Sequence, residues 1–208
     1  MPTSLLTSAA EKVFIAAMFH DNEDVLPYWT DEIVKVIHYL GTVRYPACIS
    51  SQLKLKLSSK ANVFVSIVES HSKDRTPFLL EEFDQRLSAL NVSRYISTRD
   101  VSIERPTSMD TSSARIEYLA AVRNQVLEPL VRDGGYERVL FSNDVYVRAE
   151  SIVDLLNTRS GDWDMVCGVD VDRWGCVISS GEWILCSHIT QALRRMGRPR
   201  CTRTSCLV

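Results

Sequence analysis

The chain has 208 residues, of which 45% are hydrophobic and 24% charged, with a formal net charge of -2 and a pI of about 6.1. This length is sufficient for one α/β domain with a hydrophobic core. The near-neutral charge argues against nucleic acid as a bulk electrostatic partner. No run of about 18 apolar residues is present, so the sequence predicts no membrane span. The N-terminal residues also lack the basic region of a signal peptide.

The first part of the chain predicts a strand, a helix and a second strand. Val13 to Phe19 is a short apolar run typical of a buried strand. The apolar positions that follow recur every three or four residues, which predicts an amphipathic helix ending at Gly41. Residues 43–61 are basic and follow neither period, and Asn62 to Val68 predicts the second buried strand. The helical apolar positions are Leu26, Trp29, Ile33, Val36, Ile37 and Leu40.

A second helix, a third strand and a loop are predicted next. Thr76 and Pro77 are typical of the N-cap and the first residue of a helix. Val92 to Ser97 predicts a short strand, and the polar segment from Ile103 to Ser113 predicts a mobile loop.

The second half continues the alternation of helix and strand. A long helix is predicted from about Ala114 to Val131, ended by Gly134-Gly135. Strands are predicted at Arg138 to Ser142 and Met165 to Val169, with a short helix from Ala149 to Asn157 between them. This alternation predicts an α/β fold, with a mostly parallel sheet flanked by helices. The buried face of the long helix is predicted to consist of Ile116, Leu119, Ala120, Leu127 and Leu130.

Polar clusters follow the predicted strands. In a parallel sheet, ligands bind beyond the carboxyl ends of the strands. Neither a GxGxxG nor a Walker A motif is present, so a bound diphosphate would need a divalent cation or arginines to neutralise it. Carboxylates at strand ends suit Mg²⁺ or Mn²⁺, which prefer hard oxygen ligands. The clusters are His20 to Asp24, Glu69 to Asp74, Asn143-Asp144, and Asp170 with Asp172.

Each of these clusters also has a purely structural interpretation. Asp144 is as well suited to capping the following helix as to binding a ligand, and Glu69 can simply accept backbone N–H groups. Arg115 and Arg123 lie about 80° apart around a helix, but paired arginines on a helix are more often solvated than bound to phosphate. The four histidines form no catalytic constellation, and we interpret them as surface or packing residues.

Five longer stretches carry more information than any single residue. They are Val13 to Trp29, NVFVSIVESHSKDRT at Asn62 to Thr76, RIEYLAAVRNQVLEPL at Arg115 to Leu130, RVLFSNDVYVRAESIVDLL at Arg138 to Leu156, and DMVCGVD at Asp164 to Asp170. In this order and at this spacing they resemble the fungal capsule-associated α-1,3-mannosyltransferases, glycosyltransferase family 69. The resemblance covers most of residues 13–172.

The resemblance implies a GT-A-like, Rossmann-type domain over residues 1–172. It implies that the chain transfers mannose from GDP-mannose to a mannose-containing glycan. It also implies a cofactor, Mn²⁺ or Mg²⁺, at Asp144 and Asp170, and leaves open which carboxylate holds it. Such a cation would stabilise the negative charge of the departing diphosphate. The implied donor-binding residues are Glu69, Ser70, Arg115, Arg123, Asn124 and Asn143, and no catalytic residue is identified.

Two segments depart from the family pattern, the atypical insert at residues 43–61 and a Cys- and Arg-rich tail at residues 173–208. Disorder is one interpretation of the tail, and a basic surface that docks on an acidic partner or a membrane is another. The tail stands where the family has its acceptor-binding half, so we expect a fold incomplete at its C-terminus and a transferase activity that is in doubt. The alternative function is a non-catalytic α/β module that binds a nucleotide or a protein.

The resemblance also implies a Golgi enzyme held by an N-terminal membrane anchor. No such anchor is encoded in these 208 residues, so we expect this chain by itself to be soluble.

The insert and the tail lead to a hypothesis about the gene: the insert is a retained intron, and the tail is a shifted reading frame or a mis-spliced exon. We expect the mature transcript to lack the codons for residues 43–61 and to continue in another frame or exon after Asp172. Sequencing the transcript tests this, and a spliced message that encodes both segments refutes the hypothesis.

Overall fold

The structure is a computed structural model and describes residues 11–41, 62–109, 113–143, 145–167 and 205–207. The strands are β1 (Val13–Phe19), β2 (Val63–Ser70), β3 (Ser93–Asp100), β4 (Arg138–Phe141), β5 (Met165–Val166) and β6 (Ser205–Leu207). The helices are α1 (Leu26–Gly41), α2 (Thr76–Ala89), α3 (Ser113–Asp133) and α4 (Ala149–Leu156), with a short 3₁₀ helix at Thr158–Gly161.

The strands form one parallel sheet in the order β3-β2-β1-β4-β6-β5. Strand β1 is apolar throughout because it is covered on both faces. Its odd-numbered side chains, such as Ile15, pack in the core formed with α1, α2 and α4. Its even-numbered side chains, such as Phe14, pack in a second core with α3. The predicted α/β fold, with a mostly parallel sheet and flanking helices, is therefore confirmed.

The chain order of the central strands creates a switch point between β1 and β4. The chain passes from β1 outwards to β2 and β3, and then returns to β4 on the other side of β1. The strand order therefore reverses between β1 and β4 at the edge where the strands end, which we call the carboxyl edge, and helices α1 and α4 then pack on the same face of the sheet. Ligands of open α/β sheets bind at such a point.

Helix α1 follows the prediction closely. The predicted apolar positions from Leu26 to Ile37 are fully buried, and Leu40 is half-buried. The helix extends to Gly41, the predicted last residue.

Helix α2 begins one residue earlier than predicted. Thr76 is the first residue of the helix and Arg75 is its N-cap. The Thr76 hydroxyl does not cap α2, because it accepts the N–H of Asn22 at 2.7 Å. The Thr76 N–H donates instead to Asp74 Oδ1 at 2.9 Å. Pro77 in the first turn is confirmed.

The predicted buried face of α3 is partly wrong. Leu127 and Leu130 are buried, but Ile116 is 44% exposed. Leu119 and Ala120 are only half-buried, and Tyr118, Val122 and Val126 lie in the core instead. Polar contacts with β2 favour this rotation of the helix: the Ser66 hydroxyl donates to the Val126 carbonyl at 2.6 Å, and Ser70 and Tyr118 share a hydrogen bond of 2.8 Å.

Several predicted boundaries also shift. Strand β2 runs on to Ser70, so Glu69 and Ser70 are strand residues rather than loop residues. Glu69 lies opposite Phe19 of β1 in the parallel register. Strand β3 begins at Ser93 and ends at Asp100. The end of α3 before Gly134-Gly135 is confirmed, and both glycines have positive φ angles, of 61° and 80°.

The insert and most of the tail lie outside the described residues. Within the tail, Ser205–Leu207 form β6, which pairs with β4 on one side and β5 on the other. In the described part of the chain, no helix is both long and apolar enough to cross a membrane.

One polar contact in the core joins α1 to the end of β4. Trp29 is fully buried, its ring contacts Phe19 and Phe83, and its Nε1–H donates to Ser142 Oγ at 3.0 Å.

We expect Trp29→Phe to lower the free energy of unfolding by about 1–3 kcal/mol, because Ser142 Oγ loses its buried donor. Urea unfolding of Trp29→Phe, Ser142→Ala and the double variant measures this. If the two substitutions changed the free energy of unfolding by strictly additive amounts, the hydrogen bond between Trp29 and Ser142 would not contribute to stability.

Candidate functional site

The loops after β1 and β2 are joined at the carboxyl edge by reciprocal hydrogen bonds. The Asp21 carboxylate accepts the N–H of Lys73 at 2.6 Å, and the Glu23 carboxylate accepts the N–H of Arg75 at 2.8 Å. In return, Asp74 Oδ2 accepts the N–H of Glu23 at 2.9 Å. We call residues 20–24 and 71–75 the clasp, since the carboxylates of each loop hold the backbone of the other.

Two further hydrogen bonds join the clasp to the residues beside it. His20 Nδ1 hydrogen-bonds the Ser70 carbonyl at 2.9 Å, and the Asn22 N–H donates to Thr76 at 2.7 Å. Two of the predicted strand-end clusters therefore contact each other, and their acidic groups support the backbone. This structural role agrees with our interpretation of His20 as a packing residue.

Glu69 performs a similar task between β2 and β3. The residue is fully buried, and its two carboxylate oxygens accept the N–H groups of Ser72 at 2.9 Å and Arg99 at 2.6 Å. These contacts match the structural alternative for Glu69. Its contact with a nucleotide stays a prediction.

The hydrogen bonds between β2 and α3 define the direction of α3. Ser70, the last residue of β2, contacts Tyr118, whereas Ser66, in the middle of the strand, contacts Val126. Helix α3 therefore runs antiparallel to β2, and its N-terminus lies at the carboxyl edge. This N-terminus carries a positive partial charge from the helix dipole.

The predicted donor-binding residues of α3 lie at different distances from the carboxyl edge. Arg115 is half-buried and precedes Tyr118, so it belongs to the turn at the carboxyl edge. Arg123 lies about 12 Å farther along the helix axis, at 1.5 Å per residue. Arg123 is half-buried and Asn124 is exposed. The structure thus brings Arg115 and Ser70 to the same edge, with Arg123 and Asn124 farther from it.

The loop after β3 folds against this edge. His71 Nε2 hydrogen-bonds the Ile103 carbonyl at 2.9 Å, and the guanidinium of Arg105 lies 5.9 Å from the centre of the Tyr118 ring. Sequence reasoning missed Arg105, because a single arginine in a loop without periodicity carries no signal of its position.

Asp100 fixes the start of the same loop. Its carboxylate accepts the Ser102 N–H at 2.8 Å and the Gln125 side-chain N–H at 2.5 Å. Burial raises the pKa of Asp100, but the hydrogen bonds from Ser102, Gln125 and Ser97 outweigh it and hold the pKa below its usual value. The bond to Gln125 ties the loop to α3.

The residues at the end of β4 lie directly at the switch point. The Ser142 N–H donates to the Ala16 carbonyl at 2.9 Å, which continues the pairing with β1. Asn143 Oδ1 is buried and has no hydrogen-bond partner among the described residues. Both predicted metal ligands, Asp144 and Asp170, lie outside the described residues. Within residues 11–41, 62–109, 113–143 and 145–167, no cluster of three or more His, Cys, Asp or Glu is placed to hold a metal ion.

Two tyrosines flank the switch point on the side of α1. The ring centres of Tyr28 and Tyr146 are 5.5 Å apart, and the Tyr146 hydroxyl donates to the Asp24 carbonyl at 3.4 Å. Helix α4 is attached to α1 just beyond them, where Glu32 accepts the Ala149 N–H at 2.7 Å. Sequence reasoning missed this pair, because one member lies in α1 and the other in the loop after β4.

Together these features are typical of α/β proteins that bind a ligand at the carboxyl edge of a parallel sheet. The chain matches the family described as Cryptococcal mannosyltransferase 1 over residues 12–186. It therefore belongs to this mannosyltransferase family, and the predicted resemblance is confirmed. No curated protein and no solved structure matches the chain. The family match continues beyond Asp172 to residue 186, so family similarity extends into the segment that was expected to depart from it.

The clasp predicts a dependence of stability on pH. Burial raises the pKa of Asp74, but hydrogen bonds from Thr76 and Glu23 outweigh it and hold the pKa below its usual value. The stabilisation from Asp74 is therefore present above the usual Asp pKa of about 4 and is lost as the pH falls through the lower, folded-state pKa. We expect Asp74→Asn to cost about 1 kcal/mol at pH 7, and less as acid protonates the wild-type carboxyl.

Urea unfolding at a series of pH values measures this difference. Asp154→Asn, on the exposed side of α4, is the matched control and should change little. A cost of Asp74→Asn that stays constant from neutral to strongly acidic pH would contradict the role of the ionised carboxylate.

Proposed function

We propose that this chain binds GDP-mannose at the switch point between β1 and β4, in a GT-A-like manner, and transfers mannose to a mannose-containing glycan. The observation that carries the proposal is the family match combined with the location of Asn143 at the switch point. The end of β4 leads directly into Asp144, the carboxylate that the family resemblance assigns to the metal.

The diphosphate is proposed to lie towards α3. Arg115 belongs to the turn of α3 at the carboxyl edge, and the N-terminus of this helix favours bound anions. Arg105 adds a second positive charge near Tyr118. Ser70 lies at the same edge and holds Tyr118 of α3 by a hydrogen bond. Arg123 and Asn124 would act farther along the helix, and Glu69 would act by holding the loop after β2 and the end of β3.

One described oxygen at the switch point is of a type that suits a hard divalent cation, which supports the proposed metal site. Asn143 Oδ1 is a buried amide oxygen without a hydrogen-bond partner among the described residues, and amide and carboxylate oxygens are suitable ligands for Mg²⁺ or Mn²⁺. We propose that Asp144 and Asp170 hold the cation beside Asn143. When bound, it supplies positive charge that stabilises the departing diphosphate.

A Golgi location, implied by the family resemblance, is part of the same proposal.

Calorimetric titration with GDP tests the proposed donor site. We expect binding to GDP in the presence of Mn²⁺, and binding at least about tenfold weaker after Asp144→Ala, because the cation would lose a ligand. Removal of the metal from the wild-type protein should have a similar effect. Asp154→Ala, which removes an exposed carboxylate from α4, is the matched control and should bind as the wild type does.

Two results would overturn the proposal: equal heats with and without the metal, or unchanged GDP binding in Asp144→Ala. Hydrolysis or transfer from GDP-mannose by the wild-type protein then distinguishes a transferase from a module that only binds a nucleotide or a protein. A transferase should lose this turnover in Asp144→Ala and keep it in Asp154→Ala.

A further inference from the structure

The side of the switch point that faces α1 carries an uncovered aromatic ring. Tyr146 is 66% exposed, although its ring contacts Tyr28 and its hydroxyl donates to the Asp24 carbonyl. Val145, the preceding residue, is 39% exposed. Apolar surface is therefore left open next to the end of β4, in a loop that is tied to α1.

The ring of Tyr146 is held in place while it remains exposed. The Tyr28 ring lies against it at an interplanar angle of 57°, and the hydroxyl bond to the loop after β1 restrains its other end. Tyrosine has few rotatable bonds, so a ring held in this way presents a rigid surface at low entropic cost. An exposed single tyrosine is common, but this one is restrained by two elements beside a switch point, where ligand sites of α/β sheets preferentially occur.

The charges on the two sides of the switch point differ. The α3 side has Arg115, Arg105 and the positive end of a helix, which suit a diphosphate. On the α1 side, the Glu32 carboxylate pairs with Lys35 and interacts electrostatically with Arg148, so negative and positive charges occur together there. The aromatic surface therefore suits a neutral ring better than a charged group.

We propose that Tyr146, oriented by Tyr28, is the stacking surface for a pyranose ring of the acceptor glycan. The inference rests on the proposed function and extends it from the donor to the acceptor. One face of a pyranose ring carries mainly C–H groups and packs against an aromatic face. The sugar hydroxyls point outwards, towards polar groups such as the exposed Asp24 at the same edge. Tyr146 is then a positioning and specificity residue for the acceptor.

Binding of an α-1,3-linked mannobiose, measured by NMR titration with and without GDP and Mn²⁺, tests the inference. We expect Tyr146→Ala to weaken mannobiose binding about tenfold, which corresponds to about 1.4 kcal/mol. Tyr146→Phe should keep most of the affinity, because the ring is retained and only the 3.4 Å hydroxyl contact is lost. Tyr95→Ala is the matched control, because Tyr95 is a 38% exposed tyrosine on β3, the far strand of the sheet.

The outcomes separate the acceptor surface from the donor site. Equal mannobiose binding by the wild type and Tyr146→Ala, or no binding by the wild type, would overturn the inference. A loss of GDP binding in Tyr146→Ala, with mannobiose unaffected, would assign the ring to the nucleobase and overturn it as well. Failure of the wild type to bind GDP with Mn²⁺ would instead count against the proposed donor site, while the mannobiose titration without GDP would still report on Tyr146.

Discussion

The structure depends on the burial of β1 on both faces of the sheet. A strand with apolar side chains on both sides needs a layer of helices on each face and a paired strand at each edge, since its buried backbone groups must all be hydrogen-bonded. Strands β2 and β4 meet this need in register, with Val13 opposite both Val63 and Arg138. The loops after these three strands consequently leave the sheet at the same edge, where the candidate site lies.

At that edge, structural and chemical roles are divided among neighbouring polar groups. The acidic groups of the clasp, and Glu69, accept backbone N–H groups and so stabilise the backbone around Asp21, His71 and Arg99, which have positive φ angles. Non-glycine residues adopt this conformation at a cost that the surrounding hydrogen bonds must offset. This scaffold places Asn143, two residues after the end of β4, between the arginines near α3 and the tyrosines near α1.

Part of this site was visible in the sequence. The position of Ser70 and Asn143 near strand ends follows from the lengths of the apolar runs, although β2 extends two residues farther than predicted. Arg115 was placed by the resemblance to the family. Glu69 was predicted at the right edge, but its partners were not predicted, because the sequence does not reveal which backbone groups a buried carboxylate will meet. Arg105 gave no signal, since its position depends on how the loop after β3 folds onto Tyr118.

The sequence by itself determined the order and type of the main elements, because apolar periodicity is a local property with a period of two in strands and 3.6 in helices. It also determined the family, through five blocks in a fixed order. Only the tertiary structure decided which face of α3 is buried, where Tyr118 rather than Ile116 meets the sheet. Only the tertiary structure brought Tyr146 to Tyr28. Both depend on contacts between residues far apart in the chain, whose geometry is set by packing rather than by local pattern.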